Sequence, residues 1–159
     1  MATPGNSSLY NIDTGILKEN ACVILVKTEW NAAIVDALEA GCKKIFDTYK
    51  IRYQTLVVPG AVELPFAIKR HWERNKETAA APDAFIALGC VIKGDTPHFE
   101  YVCDSVTQGV LQLNLLLPVP TIFGVLTVNT EEQARERIGG IHGHKGAEAA
   151  ITALKMIHS

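Results

Sequence analysis

The segment GDTPHF places a carboxylate, a hydroxyl and an imidazole directly after an apolar run. Gly94 permits a tight turn and Pro97 is typical of a first helical turn, so we predict a helix here with Thr96 as its N-cap. Free backbone N–H groups and the positive end of the helix dipole would meet beside Asp95, an arrangement suited to a phosphate. A neutral His98 in the same turn could act as a general base. A solvent-facing histidine beside a capped helix is the plainer alternative.

Other polar and aromatic side chains follow the remaining apolar runs. Trp30 and Asn31 come after the first run, and the small-residue turn in VPGAVELP leads to Glu63. Phe123 lies near the end of the fourth run, and Arg137 follows it downstream. Each has an ordinary explanation: packing for Trp30, a favoured acid at a helix start for Glu63, and a solvated helix face for Arg137. The two histidines in HGHKG have no carboxylates or thiols beside them, so we predict no metal site.

Apolar runs alternate with amphipathic stretches, which is typical of strands followed by helices. We predict strands over residues 21–26, 53–58, 83–92 and 119–128. We predict helices over residues 31–49, 65–75, 97–116, 130–140 and 146–158. The alternation favours an α/β fold, a three-layer αβα sandwich with a four-stranded parallel sheet. Ligands bind beyond the carboxyl ends of such strands, and the candidate loops are therefore 27–31, 59–63, 90–98 and 127–130.

The amino-terminal part of the chain differs from the rest. Residues 1–16 are polar and include Pro4, so we predict a flexible arm before a single domain at 17–159. Residues 8–12 could still pair as an edge strand.

Composition excludes several classes of partner. Hydrophobic residues make up 48% of the 159, the net charge is -2 and no dense basic run occurs. A nucleic-acid or anionic-membrane partner therefore has little electrostatic support. The amino terminus has neither the basic nor the apolar region of a secretory signal, so we expect a cytoplasmic protein. The four cysteines, none in a CxxC pair, are expected to be reduced core thiols: Cys22, Cys42, Cys90 and Cys103.

Four segments together resemble one family. VPGAVELP, GCVIKGDTPHFEYV, PTIFGVLT and EEQARERIGG with HKGAEAA closely resemble the lumazine synthases, in the family's order and spacing over roughly residues 17–157. The resemblance implies a flavodoxin-like fold. It also implies a transferase of riboflavin biosynthesis that joins 5-amino-6-(D-ribitylamino)uracil to 3,4-dihydroxy-2-butanone 4-phosphate, releasing phosphate and water. No metal or organic cofactor is implied.

The resemblance assigns roles position by position. Trp30 would stack on the pyrimidine ring, and Phe123 would approach that ring from a neighbouring subunit. His98 would transfer protons. The pyrimidine-binding positions are Trp30, Asn31, Ala61, Val62, Glu63, Cys90, Val91, Ile92, Phe123 and Lys145. The positions that bind the butanone phosphate are Gly94, Asp95, Thr96 and Arg137, with Glu148 as an acid near the arginine.

The resemblance also implies a homo-oligomer of pentamers. Family members that stay pentamers tend to carry an insertion between the last two helices, whereas only a few residues separate Gly140 from Lys145 here. We therefore predict an icosahedral 60-mer, with the amino-terminal segment added as a strand to a neighbouring subunit and riboflavin synthase as a further partner. Two rival functions are a flavin-binding electron carrier of similar fold and a non-catalytic shell or lumazine-binding protein. KTEWNAA lacks the Ser/Thr/Gly cluster that the electron carrier needs.

Overall fold

The computed structural model describes residues 7–13 and 17–157. Its main strands are β1 (Cys22–Thr28), β2 (Arg52–Val58), β3 (Ala84–Ile92) and β4 (Thr121–Val128). Its helices are α1 (Ala32–Thr48), α2 (Leu64–Asn75), α3 (His98–Leu116), α4 (Glu131–Arg135) and α5 (Lys145–Ile157). A short hairpin, β5 (Ile138–Gly140) and β6 (Gly143–His144), lies between α4 and α5. The predicted strands all exist, with ends shifted by a few residues.

The four main strands form one sheet in the order β2-β1-β3-β4, and all neighbours are parallel. The predicted three-layer α/β architecture is therefore confirmed. Pairing of β3 with β4 continues to Ile92, but pairing of β3 with β1 ends at Leu88 opposite Lys27. The carboxyl end of β3 thus extends past β1, and its backbone edge on that side faces the loop after β1.

Buried side chains form one cluster on each face of the sheet. Alternate residues of β1 belong to different clusters, because successive side chains of a strand point to opposite faces of the sheet. Leu25 packs with Leu154 beneath α1 and α5, whereas Ile24 packs with Ile68 beneath α2 and α3. Burying each of these aliphatic side chains contributes ~1.5–3 kcal/mol, so both helical layers are held firmly against the sheet.

Helices α1 and α5 approach each other closely. Gly146 faces the backbone of Leu38, and a Cβ atom at residue 146 would overlap the Leu38 carbonyl oxygen. The Cys42 thiol donates to the Gly146 carbonyl oxygen at 3.1 Å. The amino end of α5 is therefore fixed on α1.

Two local predictions differ from the structure. The helix predicted over 130–140 ends at Arg135, because the carbonyl oxygens of Glu136 and Arg137 accept hydrogen bonds from the backbone N–H groups of His142 and Lys145, which lie in the hairpin and at the start of α5. Residues Ser7–Tyr10 form a 3₁₀ helix rather than the edge strand predicted over 8–12. Pairing of this segment with a neighbouring subunit stays a prediction.

The remaining differences concern helix ends. Helix α3 begins at His98 with Pro97 at its cap position, so Thr96 is not the N-cap residue. The Thr96 hydroxyl still accepts a hydrogen bond from the His98 backbone N–H at 3.4 Å. Helix α5 is described to Ile157, and the predicted end at His158 lies outside the described residues. Among the helices of the described residues, none is long and apolar enough to cross a membrane.

Candidate active site

A cavity of about 530 Å³ opens beyond the carboxyl ends of β1, β2 and β3. It is built mainly from the predicted loops, as expected for a parallel sheet of this kind. The predicted site residues that line it are Trp30, Asn31, Ala61, Val62, Glu63, Cys90, Val91, Ile92 and His98. These residues are far apart in sequence, and the sheet topology alone brings them together.

The first wall is the turn after β1. Trp30 is 73% exposed and lines the cavity, so its indole lies outside the core and is open to solvent there. The Trp30 carbonyl oxygen accepts from the Thr28 hydroxyl at 3.1 Å. Its backbone N–H donates to the Pro59 carbonyl oxygen at 3.2 Å. The indole is thus exposed on a backbone that is held from both sides.

The second wall is the 3₁₀ turn Ala61–Glu63 before α2. Pro65 lies in the first turn of α2, where its missing N–H leaves no helical hydrogen bond unmade. A Cβ atom at Gly60 would lie 3.1 Å from Glu63 Oε2 and 3.5 Å from Trp30 Cδ1. Glycine at this position therefore lets the Glu63 carboxylate and the indole close around the same space.

The floor is the carboxyl end of β3. Asn31 Nδ2 donates to the Cys90 carbonyl oxygen at 2.7 Å. Burial, followed by the nearby Glu131 carboxylate, raises the pKa of the Cys90 thiol to about 11. This thiol stays protonated near neutral pH, so Cys90 lines the cavity without the thiolate that a nucleophile needs.

The loop from β3 to α3 borders the open side of the cavity. Residues 93–98 are exposed, and His98 projects from the first turn of α3 into the lining. Gly94, Asp95 and Thr96 lie between Ile92 and His98, at the amino end of a 19-residue helix. The backbone N–H groups and the dipole of that helix end favour an anion.

A second groove, of about 810 Å³, lies beside the edge strand β4. It contains the other predicted residues, which are Phe123, Arg137, Lys145 and Glu148. Phe123 is 41% exposed here, and Lys145 Nζ pairs with Glu148 Oε2 at 2.6 Å. Arg137 Nη1 donates to the Gln133 carbonyl oxygen at 2.8 Å. Within one chain, then, these residues do not reach the cavity that holds His98.

Comparison with known proteins identifies the family of the chain. A sequence model of the 6,7-dimethyl-8-ribityllumazine synthase family matches residues 20–159. The chain belongs to this family. Proteins named 6,7-dimethyl-8-ribityllumazine synthase from Bacteroides fragilis and Parabacteroides distasonis are 48% and 46% identical, over 84% of this chain and 92% and 82% of theirs. The protein of that name from Flavobacterium psychrophilum is 42% identical over 99% of this chain and 83% of its own length.

Sequence reasoning did not assign three residues of the cavity of this lumazine synthase family member: Thr28, Gly60 and Val102. Thr28 and Gly60 lie inside loops that were expected to bind ligand, so strand-end position was a usable signal. Val102 follows His98 by four residues, and residues four apart share a helix face. That spacing could have identified it.

The same geometry bears on metal and thiol chemistry. Among residues 7–13 and 17–157, no three His, Cys, Asp or Glu side chains are grouped as a metal site would need. All four cysteines are free thiols, and Cys42 and Cys90 are buried as predicted, whereas Cys22 and Cys103 are only half-buried.

Proposed function

We propose that this protein forms 6,7-dimethyl-8-ribityllumazine by condensing 5-amino-6-(D-ribitylamino)uracil with 3,4-dihydroxy-2-butanone 4-phosphate, with loss of phosphate and water. The observation that carries the proposal is the cavity itself. An exposed indole, a carboxylate, the backbone of β3 where it extends past β1, and an imidazole converge there in a chain of this family. An aromatic face and a backbone edge suit a planar, hydrogen-bonding heterocycle.

The pyrimidine occupies the slot between the Trp30 indole and the backbone of Cys90–Ile92. Stacking on the indole fixes the ring plane, and the backbone edge of β3 supplies donors and acceptors in that plane. The Glu63 carboxylate, at the far side of Gly60, accepts hydrogen bonds from the ribityl hydroxyls. The Cys90 side chain adds no charge to this part of the slot, because its raised pKa keeps the thiol protonated.

The phosphorylated ketone binds at the amino end of α3, where Gly94–Thr96 turn into the helix. The helix end holds the phosphate charge as it leaves. The amine attacks the ketone to give an imine with loss of one water, elimination then releases phosphate, and the ribityl-bearing nitrogen closes the ring on the remaining carbonyl with loss of a second water. Each step moves protons, which the His98 imidazole can relay at this position. Holding both substrates together supplies ~7 kcal/mol or more of the barrier lowering.

Phe123, Arg137 and Lys145 belong to the complete site when a second subunit supplies them. Their groove shares no lining residue with the cavity in one chain, and β4 is an edge strand of the sheet. A cyclic oligomer would place the groove of one subunit over the cavity of the next, so every site would be shared. Arg137 of the neighbour would then complete the phosphate site next to Thr96.

Turnover of the two substrates, followed by product absorbance, tests the reaction. It also separates the enzyme from a non-catalytic shell or lumazine-binding protein of the same fold. Absence of turnover by correctly assembled protein would refute the proposal.

Mixing two variants tests the shared site. His98→Ala removes a cavity residue and Arg137→Ala removes a groove residue. After unfolding and joint refolding at equal amounts, about one quarter of the sites should combine two intact halves and regain parental activity. Refolding each variant alone is the control. If the mixed sample only equals the mean of the two variants, both residues act within one chain.

The finer assignments are proposals too. We propose pentamers that close into an icosahedral 60-mer, a cytoplasmic location, and riboflavin synthase as a partner. The two-residue turn of the hairpin between α4 and α5 supports the closed shell.

A further inference from the structure

Asn31 differs from a typical N-cap residue in both its side-chain bonding and its backbone angles. It is the N-cap residue of α1, where asparagine commonly accepts a hydrogen bond from the helix, yet its side chain makes no such bond. Its backbone is in the left-handed region, with φ 57 and ψ 43, whereas an N-cap residue usually has extended angles. Asparagine tolerates this region better than most residues, but the conformation is still unfavourable.

The Asn31 side chain is instead directed across the cavity floor. Its Nδ2 donates to the Cys90 carbonyl oxygen at 2.7 Å, a bond between residues 59 positions apart. Registered pairing of β3 with β1 has already ended at Leu88, two residues before Cys90. The Asn31 amide therefore bonds the Cys90 carbonyl oxygen at a position where β1 no longer pairs with β3.

The residue before Asn31 is Trp30, whose own backbone is held by Thr28 and Pro59. A single side chain thus links the indole-bearing turn to the part of β3 that extends past β1. The distance between these two parts sets the width of the slot. A planar ring needs a fixed width, because stacking and in-plane hydrogen bonds must be satisfied together.

We propose that Asn31 is a positioning residue, whose amide clamps the Cys90 carbonyl and so sets the spacing between the Trp30 indole and the β3 edge. The proposal rests on the assignment of this slot to the pyrimidine. It replaces the expectation that Asn31 serves as a substrate contact. Asn31 then acts on pyrimidine recognition through Trp30 and Cys90, in the ligand-free protein as well as during turnover.

The chain has two tryptophans, Trp30 and Trp72. The test therefore uses Trp72→Phe protein as the parent, in which all tryptophan fluorescence comes from Trp30. Asn31→Gly keeps the left-handed backbone accessible and removes only the clamp. Asn31→Asp keeps the size of the side chain but offers no donor to the carbonyl. Asn20→Gly is the matched control, because Asn20 is also left-handed, with φ 59, but lies before β1 at the opposite end of the sheet.

Without ligand, both Asn31 variants should lower the fluorescence anisotropy of Trp30 and change its quenching by acrylamide, whereas Asn20→Gly should not. In turnover, both should raise KM for the pyrimidine by about 3- to 10-fold, the equivalent of one lost hydrogen bond. We expect kcat and KM for the butanone phosphate to stay within about twofold of the parent, since neither depends on slot width.

Three results would overturn the proposal. Unchanged anisotropy with a raised pyrimidine KM would make Asn31 a direct substrate contact. Equal losses in both KM values and kcat, with a lower Tm, would make its role merely structural. Variants that match the parent in every measurement would leave the clamp without function. An inactive parent refutes the proposed reaction instead, and the ligand-free anisotropy then still decides whether the clamp holds Trp30.

Discussion

The backbone N–H of Trp30 donates to the carbonyl oxygen of Pro59 at 3.2 Å. At the preceding position, the backbone N–H of Glu29 donates to the carbonyl oxygen of Val58 at 2.8 Å. The hydrogen bonding between β1 and β2 therefore continues beyond both strands into the loops of the cavity. The indole and the turn that carries Glu63 are joined through backbone rather than through flexible side chains. A preorganised slot of this kind loses little conformational entropy when a ligand binds.

Trp30→Ala should weaken binding of the pyrimidine substrate and of the product. Lost stacking costs ~0.5–1.5 kcal/mol and the lost contact area adds to this, so Kd should rise about 10-fold or more. Trp30→Phe, which keeps an aromatic face, should retain most of the affinity. Bound product should quench the tryptophan fluorescence of the unaltered protein. If quenching survives Trp30→Ala, Trp72 is the reporter and the stacking role is wrong.

His98→Ala should reduce turnover without abolishing it, because positioning of the two substrates supplies much of the rate. We expect a loss of about 10- to 1,000-fold, the range typical of one proton-transfer residue or slightly below it. His98→Gln, which is neutral and polar but cannot relay a proton at neutral pH, should fall in the same range. Steady-state kinetics on both variants decides the point. A rate equal to the parent's would remove His98 from the mechanism.

Arg137→Ala should raise KM for the butanone phosphate far more than KM for the pyrimidine. A lost charge-assisted hydrogen bond costs ~1.5–3 kcal/mol, which is about 10- to 150-fold. Arg137→Lys should recover only part of the affinity, since an ammonium group cannot bind phosphate through a planar fork.

Arg135→Ala is the control for that variant. Arg135 is the last residue of α4, two positions before Arg137, but it is exposed and pairs with Glu131. It should leave both KM values unchanged. Equal effects of Arg137→Ala on the two substrates would contradict the phosphate assignment.

Sequence patterns predicted the sheet well, because continuous apolar runs such as that of β3 have few alternatives to a buried strand. The same patterns failed over residues 130–140. EEQARERI has high helix propensity, yet the helix stops at Arg135 and the chain turns into a hairpin. Gly139 and Gly143 adopt φ 109 and φ 77 there, angles that glycine alone adopts freely. Local propensity yields at this point to backbone pairing with residues 142–145.

The candidate site was predictable to the extent that strand ends define it. The topology rule alone leads to Trp30, Glu63 and His98. It cannot separate the cavity from the groove that holds Phe123, because that separation depends on where β4 lies in the sheet. Nor can it reveal the Asn31 clamp, which depends on the register at which β1 and β3 stop pairing.

The buried carboxylate of Glu39 should make stability depend on pH. Burial alone would raise its pKa, but hydrogen bonds from Lys27, Lys43 and Thr55 outweigh it and lower the pKa from 4.5 to about 2. A carboxyl whose pKa is lower in the folded state stabilises the fold above the unfolded pKa. That contribution, about 3 kcal/mol, should be lost as pH falls from 4.5 towards 2.

Glu39→Gln should therefore cost ~2–4 kcal/mol at pH 7, because Lys27 loses its buried partner. Urea unfolding should show the difference from the parent shrinking steadily below pH 4.5. Asp36→Asn is the matched control, since Asp36 also pairs with Lys27 but its side chain is 60% exposed. It should change stability by less than about 1 kcal/mol. A constant difference across this pH range would show that Glu39 does not act through its charge.

Assembly beyond the pentamer should depend on the hairpin between α4 and α5. Its strands are joined by Ile141 and His142 alone, and the ring of His144 lies against Gly41 of α1. Short connections of this kind hold the flanking helices at a defined angle, which a regular contact between pentamers requires. We expect sedimentation of the native protein to show an icosahedral 60-mer. Inserting about four flexible residues after Ile141 should splay the hairpin and yield free pentamers that keep turnover, because the shared sites lie within each ring. Native protein that sediments only as single pentamers at neutral pH would contradict the prediction, and an insertion variant that still forms the large particle would show that another surface controls closure.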